Sequence, residues 1–148
     1  MKEIFRTNDS VAGLILRLTL GVVMLPHGIQ ALGGFGGRGF FATVDFLIDR
    51  MNLPWLLVVL VVLLESVGAV ALLFGFLTRF AAFGIASIMV GAVTFMHWRH
   101  GFFMNWVGQP GDGSFEYHVL ALGIALTLVI HGGGRYSIDR VIARKLET

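Results

Sequence analysis

The sequence predicts an all-α membrane protein, a bundle of four transmembrane helices with both termini in the cytoplasm. Three observations carry this expectation. Of 148 residues, 56% are hydrophobic and only 14% are charged, whereas a soluble domain of this length needs a more polar surface. The apolar residues gather into four segments, each near the roughly 20 residues that a helix needs to cross a bilayer. The basic residues divide unevenly between the two sets of connections, and that asymmetry orients the bundle.

The first segment covers about 11–32. It is long for the apolar stretch of a signal peptide and carries Arg17 inside it, so we expect it to be retained as a helix. Residues 40–51, "FFATVDFLIDRM", set apolar side chains at helical spacing with Asp45, Asp49 and Arg50 off that face. A short helix lying in the membrane interface fits this pattern. The second segment is about 53–76 and the third about 80–98, joined by the tight turn "GFLTR". The fourth, about 117–131, is the shortest. The tail "YSIDRVIARKLE" begins at a candidate N-cap, Ser137. It reads as a basic amphipathic helix on the cytoplasmic surface, where anionic lipid favours it. No internal repeat divides the chain, so residues 1–148 form one domain.

With four spans, Lys2, Arg6, Arg79, Arg135, Arg140, Arg144 and Lys145 fall on one side, and Arg38, Arg50 and Arg99 on the other. The richer side is cytoplasmic by the positive-inside rule. Connections 33–52 and 99–116 then face outward. The net charge of +2, with no basic run on a polar helix, gives no ground for nucleic acid as a partner. The absence of cysteine excludes disulfides, a thiol relay and cysteine-ligated iron–sulfur or zinc sites.

Glu65 falls near the midplane of the second segment, with Arg17 roughly 6 Å to the cytoplasmic side of the midplane of the first. A lone charge at mid-helix costs about 2.5–3.5 kcal/mol on insertion scales. An Arg17–Glu65 ion pair is therefore expected, either fixing helix register or tuning a carboxylate that meets a ligand. The remaining polar residues, His27, Gln30, His97, His100, Asn105, Glu116 and His118, sit toward the outer face. Helical spacing groups Arg17 with Gly21, Met24 and Gly28, and Glu65 with Gly68, Ala69 and Leu72. It also groups Ser87 with Gly91 and Thr94, and Glu116 with Leu120, Gly123 and Thr127. Small residues let membrane helices approach closely, so all four stripes are expected to face inward. His118 points away from Glu116 and is expected to meet head groups or a loop. His97-x-x-His100 with Glu116 has a spacing that could hold a metal, and His27 with His97 could ligate a haem; two histidines alone specify neither. The plainer expectation is no metal, with histidines and aromatics in an interfacial belt. "GGFGG" lacks the strand–helix context of a phosphate cradle and reads as a loop.

Glu65-x-x-Gly68-Ala69-x-x-Leu72-x-x-Gly75-x-x-Thr78-Arg79-x-Ala81-Ala82 resembles the core signature of the DoxX family of small bacterial membrane proteins. Arg17 and His27-Gly28-x-Gln30 fit its first helix. His97 with Gly101-Phe102, then Glu116-Tyr117, fit its later part, and the stretch from Gly132 through Ser137, Ile138 and Asp139 to Arg140 resembles its close. Two departures stand out: Ala31 lies where many relatives carry lysine, and Gly133 replaces a proline. The resemblance implies a four-helix inner-membrane protein labelled an oxidoreductase. Some members are named for thiosulfate:quinone oxidoreduction and others for partnership with antioxidant enzymes.

Together these readings predict a redox component of the inner membrane that binds a quinone-like amphipathic ring in an outward-facing polar pocket. Glu65, His97 and Glu116 are its expected catalytic residues, and Arg17, His27, Gln30 and His100 its ligand-binding ones. Membrane lipid and a membrane-bound or soluble redox protein are the expected partners, with self-association open. The alternative is a non-catalytic scaffold or accessory subunit clamped by Arg17 and Glu65. A small transporter ranks last, because the cytoplasmic half offers little polar path beyond Arg17, Thr127 and His131.

Overall fold

The computed structural model describes residues 5–104 and 114–147. Lys2, Asn105 and Trp106 lie outside them. Among the described residues every regular element is helical. Helix α1 (Val11–Ala31) opens at Ser10, whose hydroxyl accepts from the Ala12 and Gly13 amides at 3.1 and 3.4 Å. Helix α2 (Phe40–Met51) ends at Asn52 in the left-handed region. Helix α3 (Trp55–Phe74) widens into a π-helical turn over Leu64–Gly68 and stops at Gly75, φ +66°. Helix α4 (Thr78–His100) carries a second π-turn over Val93–His97. Helices α5 (Glu116–His131) and α6 (Ile138–Glu147) complete the order.

Three of these helices, α1, α3 and α4, are long and apolar enough to cross a membrane; α5 is apolar but shorter, at 16 residues. The third segment starts two residues before its expected position, at Thr78, because the turn supplies a cap that propensity does not reveal. Asp139 of α6 accepts from the Leu77 and Thr78 amides at 2.7 and 2.8 Å. Those amides are among the orphan donors of a helix start. Ser137 also caps α6, accepting from the Arg140 amide at 3.2 Å.

One core is shared by Leu20 and Met24 of α1, Ala69 and Leu72 of α3, Ile85 and Met89 of α4, and Ala121, Ala125 and Leu128 of α5. A smaller cluster seats Val44 of α2 against Ala31, Val58 and Val62. The α1 stripe faces inward as expected: Arg17, Gly21, Met24 and Gly28 are all buried. A Cβ on Gly28 would stand 2.5 Å from the Glu65 carbonyl oxygen, so glycine is what lets α1 touch the α3 backbone here.

The α4 and α5 stripes behave otherwise. Ser87 and Thr94 are exposed, as are Leu120 and Gly123; the inward faces are Ala81, Ala82, Ile85, Ala86 and Met89 on α4 and Ala121, Ala125 and Leu128 on α5. The reason is local. Ser87, Thr94 and Thr127 donate to the carbonyls of Phe83, Val90 and Gly123, one turn back, at 2.8–2.9 Å. A hydroxyl satisfied by its own helix has no need of the bundle interior.

Candidate functional site

Arg17 and Glu65 do not pair. Arg17 is 2% exposed and gives its guanidinium to backbone carbonyls: Nε to Gly133 at 2.9 Å, Nη1 to Leu72 at 3.2 Å and to Leu73, Nη2 to Tyr136 at 3.0 Å and Arg135 at 3.4 Å. The register between α1 and α3 explains the miss. Gly28 lies against Glu65, and Gly21 against Ala69 and Leu73. Arg17 thus reaches the last turn of α3, where the Leu72 carbonyl also accepts from the Gly75 amide at 3.0 Å and the negative end of the helix dipole draws a cation. Glu65 lies roughly 10 Å higher, seven residues back along α3 at 1.5 Å per residue.

The loop that receives Arg17 is built of glycine for want of room. A Cβ on Gly133 would stand 2.6 Å from the Thr78 hydroxyl, one on Gly134 2.5 Å from the Ser10 carbonyl, and one on Gly75 2.5 Å from Ser137 Cβ. Arg79 extends the same end, donating to the Arg6 carbonyl at 2.9 Å and the Val129 carbonyl at 3.0 Å. Asp9 completes it by bonding Arg135 at 3.0 Å and Arg140. Those two guanidinium groups, Arg140 first, pull the Asp9 carboxyl down to about 2.

A second polar group forms at the opposite end. Glu65 lies in the α3 π-turn and His97 in the α4 π-turn. The His97 and His118 rings lie 4.3 Å apart, centroid to centroid, and His100 follows at 6.4 Å from His97. Tyr117 turns its hydroxyl inward, 3.7 Å from Met24 Sδ and within electrostatic reach of Glu65. His27 and His97 act in the same way on His118. Among the described residues His118 Nδ1 is shut from solvent and meets no partner in hydrogen-bond geometry, although the Ser114 backbone lies close enough to the ring to act on it.

His118 thus belongs with the group from which its angle to Glu116 had separated it. Tyr117, adjacent to it, carries no expected site role beyond its place in the pattern Glu116-Tyr117 and at the end of the fourth segment, and both residues are findable from their place one and two residues after Glu116. Glu116 itself accepts from the Met104 amide at 3.0 Å and ties α5 to the connection after α4. Gln30 is exposed, with its side chain and carbonyl against Gly37. His27 is exposed on α1, one residue from the Gly28 contact with Glu65. No group of three His, Asp or Glu among the described residues is placed to hold a metal ion. Among the described residues, two clefts of about 480 and 230 Å³ lie at the Arg17 end: one against α6, the other between Ser10, Gly13, Thr127 and His131.

The family model described as DoxX matches residues 12–98. The chain is 28% identical over 137 residues to "Inner membrane protein YqjF" of Escherichia coli (strain K12), covering 93% of this chain and 96% of that protein. It is 25% identical over 118 residues to "Putative oxidoreductase CatD" of Bacillus subtilis (strain 168), covering 80% of this chain and 78% of that one. No solved structure matches it. With three helices long and apolar enough to cross a bilayer and more than half its length matched by the family model, this multi-pass inner-membrane protein belongs to the DoxX family.

Proposed function

We propose that the protein is a membrane redox component whose site is the group formed by Glu65, Tyr117, His97 and His118, with His27, Gln30, His100 and Glu116 at its rim. The carrying observation is that Glu65 and His97 each occupy a π-turn, on two different helices, beside the Tyr117–His118 pair. Such turns interrupt a regular hydrogen-bond ladder and recur at functional sites. The topology that goes with this reading has α5 as a fourth span, both termini cytoplasmic, α2 at the outer interface and α6 on the cytoplasmic surface.

The ligand class is an amphipathic ring such as a quinone. The group fits one: among the described residues His118 Nδ1 is a buried polar atom with no partner in hydrogen-bond geometry, and the Tyr117 hydroxyl next to it turns to the apolar Met24. Such a ring, when bound, supplies two-electron, two-proton chemistry, with electrons from a partner redox protein. The histidines at the outer end exchange protons with the aqueous face, and Tyr117 links that face to Glu65 deeper in the bundle. The name of the Bacillus relative points to the same class of chemistry.

A second reading is an accessory subunit without catalysis. What favours it is that both clefts open at the Arg17 end and neither touches His97, His100 or His118. Purified protein decides between them. Mass spectrometry of its lipid extract should find quinone at near-stoichiometric amount, diminished in the His97→Ala variant. Bulk lipid alone, the same in both proteins, favours the accessory subunit.

A further inference from the structure

The larger cleft lies against α6 and serves no part of the proposed site. Its volume is about 480 Å³, and its wall includes Arg135, Arg140 and Arg144 together with Ile138, Val141 and Tyr136. The chemistry of that wall is divided. Arg135 and Arg140 are drawn together by one carboxylate, Asp9, which bonds both. Asp9 is held ionised by them, so its charge offsets only one of the three guanidinium groups. Arg144 stands one turn along α6 from Arg140 and is exposed. Beside this cationic rim, Ile138 and Val141 present apolar surface that is 42% and 56% exposed, and Tyr136 is 79% exposed.

We infer that this cleft binds a single anionic phospholipid, its phosphate on Arg140 and Arg144 and the start of an acyl chain on Ile138 and Val141. Charge complementarity and placement carry the inference. A guanidinium takes phosphate oxygens through paired N–H donors, and two on one helical face span such a group. The cleft lies where the chain leaves the bundle: Asp9 directly precedes the cap of α1, and Arg135 follows the last glycines after α5. That level is the boundary between head groups and hydrocarbon for helices of this length. A soluble anion would have no use for Ile138 and Val141. An apolar partner would have none for three arginines. Tyr136 suits the same boundary, since tyrosine favours the head-group level. Asp9 acts as a brace that fixes Arg140, one of the two phosphate-binding residues, against Arg135.

Native mass spectrometry of the detergent-solubilised full chain tests this, with dioleoyl phosphatidylglycerol, dioleoyl phosphatidylcholine and glycerol 3-phosphate as separate probes. One phosphatidylglycerol should bind per chain at roughly tenfold or more lower concentration than phosphatidylcholine, while glycerol 3-phosphate alone should not bind in that range. Arg144→Gln, which leaves the Asp9 bonds intact, should weaken the phosphatidylglycerol adduct about fivefold, the usual effect of one basic residue at an anionic surface. Val141→Ser should weaken both lipids alike. Equal binding of the two lipids overturns the inference, as does an Arg144→Gln variant that binds like the parent. Glycerol 3-phosphate binding as tightly as the lipid would replace the lipid with a soluble phosphate ester. None of these outcomes depends on whether the histidine end binds a ring.

Discussion

Arg17 Nε donates to the Gly133 carbonyl across 2.9 Å, joining the first helix to the loop that precedes the last. The same side chain closes the end of α3 through Leu72 and Leu73. One cation therefore serves three parts of the chain far apart in sequence. A buried guanidinium is tolerable in a bundle because carbonyl dipoles replace the water it has lost.

Removing that side chain should cost at least about 3 kcal/mol, because it orphans several buried acceptors at once. Arg17→Leu should thus unfold in detergent well below the parent. Arg17→Lys should not restore the loss, since one ammonium cannot reach the fan of acceptors that a planar guanidinium serves. Adding Glu65→Leu to Arg17→Leu should give losses that sum within about 0.5 kcal/mol, as for separate sites. A double variant markedly more stable than that sum would mean that the two residues meet after all.

Asp139 is the second fastening of this end. It is 2% exposed and holds the first amides of α4 with both oxygens. Asp139→Ala should cost about 1–2 kcal/mol, the usual value of a lost helix cap. Asp139→Asn should cost less, because its one carbonyl oxygen can still accept. Thermal melts of the two variants give the comparison, and equal losses would show that the carboxylate charge, and not the cap geometry, is what matters.

Asp9 gives a pH signature. Its carboxyl is pulled to about 2 in the folded protein, below the roughly 3.9 of a free aspartate. A depressed folded value means that the contribution to stability is present above the free value and is lost as pH falls toward about 2. The melting-temperature gap between the parent and Asp9→Asn should therefore stay constant from about pH 7 to 5 and close between about pH 4 and 2. A gap that is flat down to pH 2 would show that the Arg135 and Arg140 bonds do not persist in solution.

Much of the fold is legible in the sequence because it rests on period and length. The residues of α2, 40–51, are found to the residue from the spacing of their apolar positions. The inward stripe of α1 is likewise legible, since Gly21 and Gly28 mark close approach. Partnerships are not legible at the same level. Depth along each segment counts from that segment's own midplane, and a shift of one turn, about 5.4 Å, decides whether Arg17 meets Glu65 or the end of α3. The hydroxyl stripes misled for a different reason: Ser87 and Thr94 look like bundle-facing polar residues, yet bond within their own helix. An ideal helix likewise hides the place of His118, because the π-turn near the end of α4 carries His97 against it.

The histidine end supplies the final prediction. Tyr117→Phe removes one hydroxyl whose protein partner is a thioether, a weak acceptor. Stability should therefore change by less than about 1 kcal/mol. If Tyr117 links the outer histidines to Glu65, binding of a short-chain quinone analogue should survive while the pH profile of its turnover with an artificial electron donor shifts. His118→Ala acts on the other side of that link. It removes both the ring that lies against His97 and the buried Nδ1 proposed to meet the ligand, so analogue binding should fall about tenfold or more, the worth of one good buried hydrogen bond to a ligand. Combining His97→Ala with His118→Ala should add little to either alone, because the two rings form one contact. Tryptophan fluorescence quenching by the analogue reads the binding, and circular dichroism confirms that the helices persist. Should His118→Ala bind the analogue as tightly as the parent, the ring does not sit at the His97–His118 pair, and the two π-turns serve packing between α3, α4 and α5.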